Sequence, residues 1–361
     1  MRDTVSMDSG SFSYSQHSEM QRLVHINVRP MFPDLRGIKN LTVVDYGCGP
    51  GDNWVCSKDA LLSKTDVDVN YKLYLNDGVR NNWTAVAETI RAVRLAEKDE
   101  RKGHIFMLPR SFYDQCMPAA SVDIGMAWTS FHYLENKPAY LQLPTTSALR
   151  AEWNAAIRSQ GRTDLAKLLR IRAVETKLGG RFLCAIPTSI EEGSTKVHVQ
   201  AMWQALESCL KDRLMTMEQY SGFSFPIAEL DRDDIRQVLD GVGDQWSPVK
   251  SWHSFTVEHP AWTSLQKSGR TDSDYDRYAE SIAGFFMAII SGMLLSAVRC
   301  ADGMGTAPAR ATSIEEETFL RQFKARFKAA MLSESLKRIP ATGSWWAISL
   351  ERKAGPTHGE V

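Results

Sequence analysis

The residues best suited to chemistry lie in Leu41-Thr-Val-Val-Asp45-Tyr-Gly47-Cys-Gly49-Pro-Gly51-Asp-Asn-Trp54. An apolar run ends in a carboxylate, passes through three alternating glycines and enters a helix start. Glycines at such a point let the backbone turn sharply and approach a ligand with no Cβ in the way. The carboxylate of Asp45 can accept a hydrogen bond from the ammonium of a bound amino acid. A second acidic residue, Asp77, ends the next apolar run, Tyr71-Lys-Leu-Tyr-Leu75-Asn76-Asp77-Gly78, where an acidic side chain can grip the two hydroxyls of a ribose. An amino-acid tail joined to a nucleoside is S-adenosylmethionine, so Asp45, Gly47, Gly49 and Asp77 are its candidate contacts. The rival is a dinucleotide fingerprint, which wants glycine at 52. Asp52 stands there, and its charge would repel a pyrophosphate at the helix N-terminus. The bland alternatives are a glycine turn and an Asp-Gly turn with no ligand at either.

Other chemistries lack their signatures. No HExxH or clustered Cys/His spacing points to a metal, and no Gly-x-Ser-x-Gly elbow points to a hydrolase. Lysine plus arginine and aspartate plus glutamate both total 43, so the formal charge is zero. With no basic block, this balance argues against a nucleic-acid surface and a membrane-steering field. The six cysteines are dispersed, as in a reduced intracellular protein, and the polar start Met1-Arg-Asp-Thr-Val-Ser has no apolar leader. A cytoplasmic protein is the expectation. The longest apolar run, Ile282–Val298, contains Gly284, Ser291, Gly292 and Ser296 and reads as a buried helix, not a membrane span.

The elements that must position these residues follow an α/β rhythm. Seven strands are expected near Leu41–Tyr46, Tyr71–Asn76, Ile105–Leu108, Val122–Trp128, Gly180–Pro187, Val249–Val257 and Ser344–Leu350. Trp83–Lys98 is an amphipathic helix with Val86, Ile90 and Val93 on its apolar face. Alternation of this kind argues for an open, mostly parallel sheet with crossover helices. The last third departs from it: a long insertion, Ala261–Arg310, and a charged helix, Ile314–Leu332, precede the final strand. The expected fold is therefore a Rossmann-like class I methyltransferase sheet of seven strands, the last antiparallel, under an α-helical cap. Segments 35–138, 165–190, 231–258 and 313–353 are assigned to the core, and 10–30, 139–164, 191–230 and 259–312 to the cap. Residues 1–9 and 354–361 read as flexible tails.

Four further segments, in order, resemble the SABATH family of small-molecule methyltransferases. Ser13-Tyr14-Ser15-Gln16-His17-Ser18-Glu19-Met20-Gln21 is similar to its S-Y-x-x-N-S-x-x-Q, with His17 in place of asparagine. The resemblance implies that Tyr14 and Ser18 contact adenosylmethionine and that Gln21 hydrogen-bonds the substrate carboxylate. Leu75-Asn76-Asp77-Gly78 is similar to L-N-D-L, which adds Asn76 to the cofactor contacts and replaces a leucine with Gly78. Leu108-Pro109-Arg110-Ser111-Phe112-Tyr113 resembles P-G-S-F-Y, whose serine and phenylalanine hold the adenine; here these are Ser111 and Phe112. Ala127-Trp128-Thr129-Ser130-Phe131-His132-Tyr133-Leu134 resembles S-S-x-S-L-H-W-L, in which the tryptophan donates to the carboxylate. Tyr133 occupies that position, and a phenol can also donate. Tyr220-Ser-Gly-Phe223-Ser-Phe225-Pro-Ile227 echoes the family's pocket-lining F-N-I-P-x-Y. The resemblance thus assigns Gln21, His132 and Tyr133 to catalysis, and Gln21, Trp128, His132, Tyr133, Phe223 and Phe225 to the substrate. Read singly, Phe112 and Phe131 could be core aromatics and His132 a structural histidine.

The chemistry implied is in-line displacement at a sulfonium methyl, which mainly requires alignment and exclusion of water. A carboxylic acid, with a pKa of about 4, is already ionised at neutral pH and needs no base. The absence of an obvious acid–base pair therefore favours a small carboxylic acid, whether aromatic, fatty or terpenoid, or dicarboxylic, esterified with release of S-adenosylhomocysteine. A phenol would use His132 as base. N-methylation, phenolic O-methylation and a catalytically silent adenosylmethionine-binding protein are the other readings. The departures at His17, Gly78 and Tyr133 mark a divergent member, so plant-hormone substrates are not assumed. The resemblance also implies a homodimer.

Overall fold

Four parallel strands with level carboxyl ends organise the molecule: β1 (Asn40–Tyr46), β2 (Asn70–Asp77), β3 (Gly103–Pro109) and β4 (Val122–Trp128). The computed structural model describes residues 19–96, 103–136, 147–188, 197–223, 225–248, 252–300 and 313–354. Val43, Val44, Leu73, Leu75, Val122 and Met126 are fully buried, as expected of central strands covered by helices on both faces. Register sets Tyr46 beside Asn76 and Asp77 beside Pro109. The loops leaving these strands therefore emerge at one edge of the sheet.

The strand order is β3-β2-β1-β4-β5-β8-β6, with β5 Thr176–Pro187, β6 Trp246–Pro248 and β8 Thr342–Arg352. Order reverses between β1 and β4, the crevice where α/β sheets bind ligands. β8 inserts antiparallel between β5 and the edge, as expected for the last strand. The strand count differs from expectation by one. The predicted strand Val249–Val257 corresponds to β7 (His253–Glu258), with 249–251 outside the described residues, and the additional strand is β6, just before the predicted span. Both pair the same side of β8, β6 with its end at Leu350–Arg352 and β7 with its start at Thr342–Ala347. Eight strands thus occupy seven positions. Pro248 ends β6; having no N–H to donate, a proline is tolerated at such a sheet edge.

The helices are α1 (Glu19–Val28), α2 (Asp52–Leu62), α3 (Trp83–Ala96), α4 (Ser147–Glu175), α5 (Val197–Lys211), α6 (Met217–Gly222), α7 (Arg232–Asp240), α8 (Pro260–Lys267), α9 (Asp272–Cys300) and α10 (Ser313–Met331). The boundary expected at 164/165 falls inside α4. Ile157, Leu165, Leu168 and Leu169 share one buried cluster, so a single apolar face carries that helix through the supposed junction. By length and composition α9 could cross a membrane. Its Tyr278, Ile282, Phe286, Ile290 and Leu294 are instead buried with Met202 and Leu206 of α5 and Phe323 and Phe327 of α10. These three helices form a third core, separate from the two that flank the sheet.

Candidate active site

Two cavities lie at the carboxyl edge of the sheet and share a wall. The first, of about 980 Å³ including space open to solvent, is lined by Gly47, Gly49, Asp77, Asn81, Ser111, Phe112 and Trp128. The second, of about 790 Å³ on the same basis, is lined by His132, His198, Phe225, Phe286, Ile289 and Trp345. Gln21, Thr129 and Tyr133 line both.

The first cavity is built by backbone. Gly47, Gly49 and Gly51 have φ of +78°, +53° and +96°, a region open to glycine at little cost. At Gly47 the space is filled as well, since a Cβ would lie 2.3 Å from Cβ of Ser130. Asn76 carbonyl oxygen accepts the Gly47 and Cys48 N–H groups at 2.8 and 3.0 Å. The Asp77 carboxylate accepts Gly49 N–H at 2.8 Å and Gly78 N–H at 2.7 Å. Asn81 Nδ2 donates to Gly49 carbonyl oxygen at 2.8 Å. Side chains and backbone at the end of β2 thus hold the glycine loop of β1.

A buried ion pair shapes the third wall. Arg172 and Glu175, at the end of α4, are fully buried and 3.0 Å apart. The Arg172 guanidinium donates to the carbonyl oxygens of Phe112 at 3.0 Å and Asp114 at 2.9 Å. Glu175 accepts the N–H groups of Cys116 and Met117 and the Tyr46 hydroxyl. A buried charge pair is stable only when its remaining donors and acceptors are used. Here they are spent on the loop carrying Ser111 and Phe112. Tyr113 then donates to Tyr133 carbonyl oxygen at 2.7 Å, tying that loop to the shared wall.

Electrostatically the first cavity is acidic and desolvated. Burial pushes the Asp77 carboxyl up to about 6, against the hydrogen bonds from Gly49 and Gly78. Burial pushes Asp45 up to about 8, with the nearby Asp77 charge adding to it and a hydrogen bond from Asn53 opposing it. A cation beside these groups would restore their ionised forms. A ligand with sulfonium and ammonium charges therefore suits the donor set, as do the positive-φ glycines and the aromatic face of Phe112. Adenosylmethionine fits this cavity by those criteria.

The sequence-predicted residues are placed as follows. Gly47, Gly49, Asp77, Ser111 and Phe112 line the first cavity. Asp45 does not: it is fully buried, its Oδ1 3.3 Å from Asn53 Nδ2, and Asn53 is the residue at the wall. Asn76 is also fully buried and donates to Leu108 and Arg110 carbonyl oxygens at 3.0 and 2.6 Å. It clamps two loops and does not reach the cavity. His132 and Phe225 line the second cavity, and Gln21 and Tyr133 the junction. Trp128, expected at the substrate, lines the first cavity, packed edge-on to His25 and Phe32. Phe223 lines neither; it is buried against Trp203 in the helical core, because α6 ends there and turns it inward. Tyr14 and Ser18 lie outside the described residues.

Sequence reasoning did not single out Asn53, Asn81, Thr129, His198, Glu229 or Trp345. Asn53, a buried amide, and Asn81, a half-buried one, carried no local signal of their own. Thr129 carries the only trace of strain at the junction, a left-handed φ of +56°, and strain of this kind clusters at functional sites. His198, Glu229 and Trp345 belong to distant segments and had no local signal. Among the described residues no group of three His, Cys, Asp or Glu could hold a metal.

The chain is similar to known proteins. A family model described as SAM-dependent carboxyl methyltransferase matches residues 3–338. Methyltransferase LUC1 of Fusarium sp. is 25% identical over 323 residues, 83% of this chain and 87% of the relative. Indole-3-acetate O-methyltransferase 1 of Arabidopsis thaliana is 24% identical over 284 residues, 65% of this chain and 71% of the relative. A solved structure of loganic acid methyltransferase with SAH superposes with a TM-score of 0.73 at 17% identity, covering 98% of this chain and all of that one. That superposition shows a common fold.

Proposed function

Because the chain belongs to the SABATH family of SAM-dependent carboxyl methyltransferases, we propose that its two cavities divide the reaction, donor in the first and acid in the second, with Gln21 and Tyr133 aligning the carboxylate where they meet. The enzyme uses S-adenosylmethionine to form methyl esters of a small organic acid. The observation that carries the division is the shared wall of Gln21, Thr129 and Tyr133.

S-adenosylmethionine supplies a methyl group already electrophilic on its sulfonium. Asp77, Ser111, Phe112 and the glycine loop would hold it, and Asn53 would face its amino-acid end in front of Asp45. Gln21 and Tyr133 would donate to one carboxylate oxygen and leave the other facing the methyl group. No base is required for an acid with a pKa of about 4. His132 then orients the acid instead of taking a proton. Phe225, Phe286, Ile289 and Trp345 suit a mostly apolar acid body, and such walls exclude the water that would compete for the alignment. A cytoplasmic homodimer completes this reading, drawn from the dispersed cysteines and the family resemblance.

The test is incubation with methyl-labelled adenosylmethionine and a panel of aromatic, fatty, terpenoid and dicarboxylic acids beside phenols and amines. Volatile, base-labile label from an acid is expected. Label confined to base-stable products of phenols or amines would refute carboxyl transfer.

A further inference from the structure

We propose that His25, braced by Ser57, is a positioning residue that fixes the Gln21 amide through Asn53 and so couples the acid-aligning group to the glycine loop. The inference rests on the reading that Gln21 meets the acceptor carboxylate. Asn53 Nδ2 donates to Gly47 carbonyl oxygen at 3.2 Å and to Asp45 Oδ1 at 3.3 Å. The Gly47 carbonyl can only accept, so the amide can be oriented only one way. Its Oδ1 then faces Gln21 Nε2 at 2.6 Å and His25 Nε2 at 3.2 Å and must accept from both. All four hydrogen-bonding positions of the Asn53 amide are used.

The consequence fixes two further groups. His25 must carry its proton on Nε2, and its Nδ1 accepts from the Ser57 hydroxyl at 3.2 Å. Burial lowers the imidazole pKa to about 4, so the ring is neutral through the physiological range. Gln21 must present Nε2 to Asn53. That leaves its second N–H, and an Oε1 that is buried with no partner among the described residues, for the reacting carboxylate and its surroundings. His25, Asn53 and Ser57 are all about 1% exposed, so water does not compete for these bonds. With an apolar residue at 25, Asn53 Oδ1 would keep one donor of two, and the Gln21 amide would lose its fixed partner geometry.

The experiment compares His25→Leu, His25→Gln, Gln21→Ala and the double variant His25→Leu/Gln21→Ala, in the full chain with an accepted acid. His25→Leu should lower kcat/KM for the acid about tenfold, the worth of one buried hydrogen bond, with the Kd for adenosylhomocysteine within about threefold. His25→Gln, which can place an amide N–H near the Nε2 position, should recover most of the loss. In the Gln21→Ala background His25→Leu should have no further effect, because contacting residues in one network are not additive. A merely structural histidine would give equal additional losses in both backgrounds, and that result overturns the proposal. So does an unimpaired His25→Leu beside an impaired Gln21→Ala. An unimpaired Gln21→Ala would instead remove the underlying assignment of Gln21, and the proposal with it.

Discussion

The proposed donor cavity and the proposed acceptor cavity are built by different means. The first is made of four strand ends and their loops, with contacts set by backbone: glycines at positive φ, N–H groups on Asp77, carbonyl oxygens on Arg172. The second is made of side chains from α1, the loop after β4, α5, the Phe225 segment, α9 and β8, which are up to hundreds of residues apart in sequence. Backbone contacts restrict what a segment can be, because few residue types permit them. Side-chain walls only need suitable volume and polarity, and many residue types provide that. The donor half is therefore tied to one ligand and the acceptor half is free to change.

The largest expected effect falls on the donor half. Arg172→Met leaves Glu175 buried without its counter-charge and frees two loop carbonyls. Breaking a buried pair costs about 3–5 kcal/mol, so denaturant unfolding should show a loss of that size, and adenosylhomocysteine should bind weakly. Arg172→Met/Glu175→Gln should recover part of the stability. If Arg172→Met were neutral, the donor half would not depend on its scaffold in the way described.

Next in size is Gly47→Ala. The added methyl meets Ser130 and demands a left-handed φ. Overpacking of this kind costs about 1–3 kcal/mol, and calorimetry should register weaker donor binding with it. Ser130→Gly in the same chain should relieve the clash but not the backbone cost.

Protonation separates the halves a third way. With its pKa raised to about 6, Asp77 takes up a proton below that pH and loses acceptor strength toward a ribose. If only the ionised form binds, donor affinity at pH 5 should be about tenfold below that at pH 7.5. The stability linkage has the opposite sense for the ligand-free protein. The folded pKa values of Asp77, about 6, and Asp45, about 8, lie above those of the unfolded chain. The folded state then holds protons the unfolded state has released, so these two groups lower stability as pH rises from about 4 to 8. Thermal unfolding of the protein against Asp45→Asn should show the difference between them growing in that direction. A pH-independent difference would contradict it.

The smallest expected effect is in the acceptor half. Phe225→Ala enlarges the second cavity at a side chain that is only partly buried. Turnover of the best acid should fall by about tenfold or less, an acid with one more ring or branch should gain, and donor affinity should not move. A loss of donor affinity would show the two cavities to be one.

Legibility in the sequence followed the same division. The glycine loop and Asp77 were readable because backbone geometry restricts them to recognisable types, and Ser111 and Phe112 through the family resemblance alone. Apolar continuity placed β1 to β5 and β8. The short edge strand β6 was not readable, since Trp246-Ser-Pro248 offers only three residues and a proline, whereas β7 overlaps the predicted Val249–Val257. Asp45 and Phe223 were identifiable as residues, but which way they face depends on Asn53 and on the end of α6. Trp345 and Trp346 look equivalent in sequence. Yet Trp346 donates to Leu230 carbonyl oxygen at 2.9 Å on one face of β8 while Trp345 lines the second cavity on the other. Only long-range packing distinguishes them.

The division at Gln21, Thr129 and Tyr133 is the central claim, and paired measurements on Gln21→Ala test it most directly. Calorimetric titration with adenosylhomocysteine should give a Kd within about threefold of the unaltered protein, while kcat/KM for the acid falls about 10- to 100-fold, the worth of a hydrogen bond to a charged group. Equal losses in donor affinity and in turnover of the acid would contradict it.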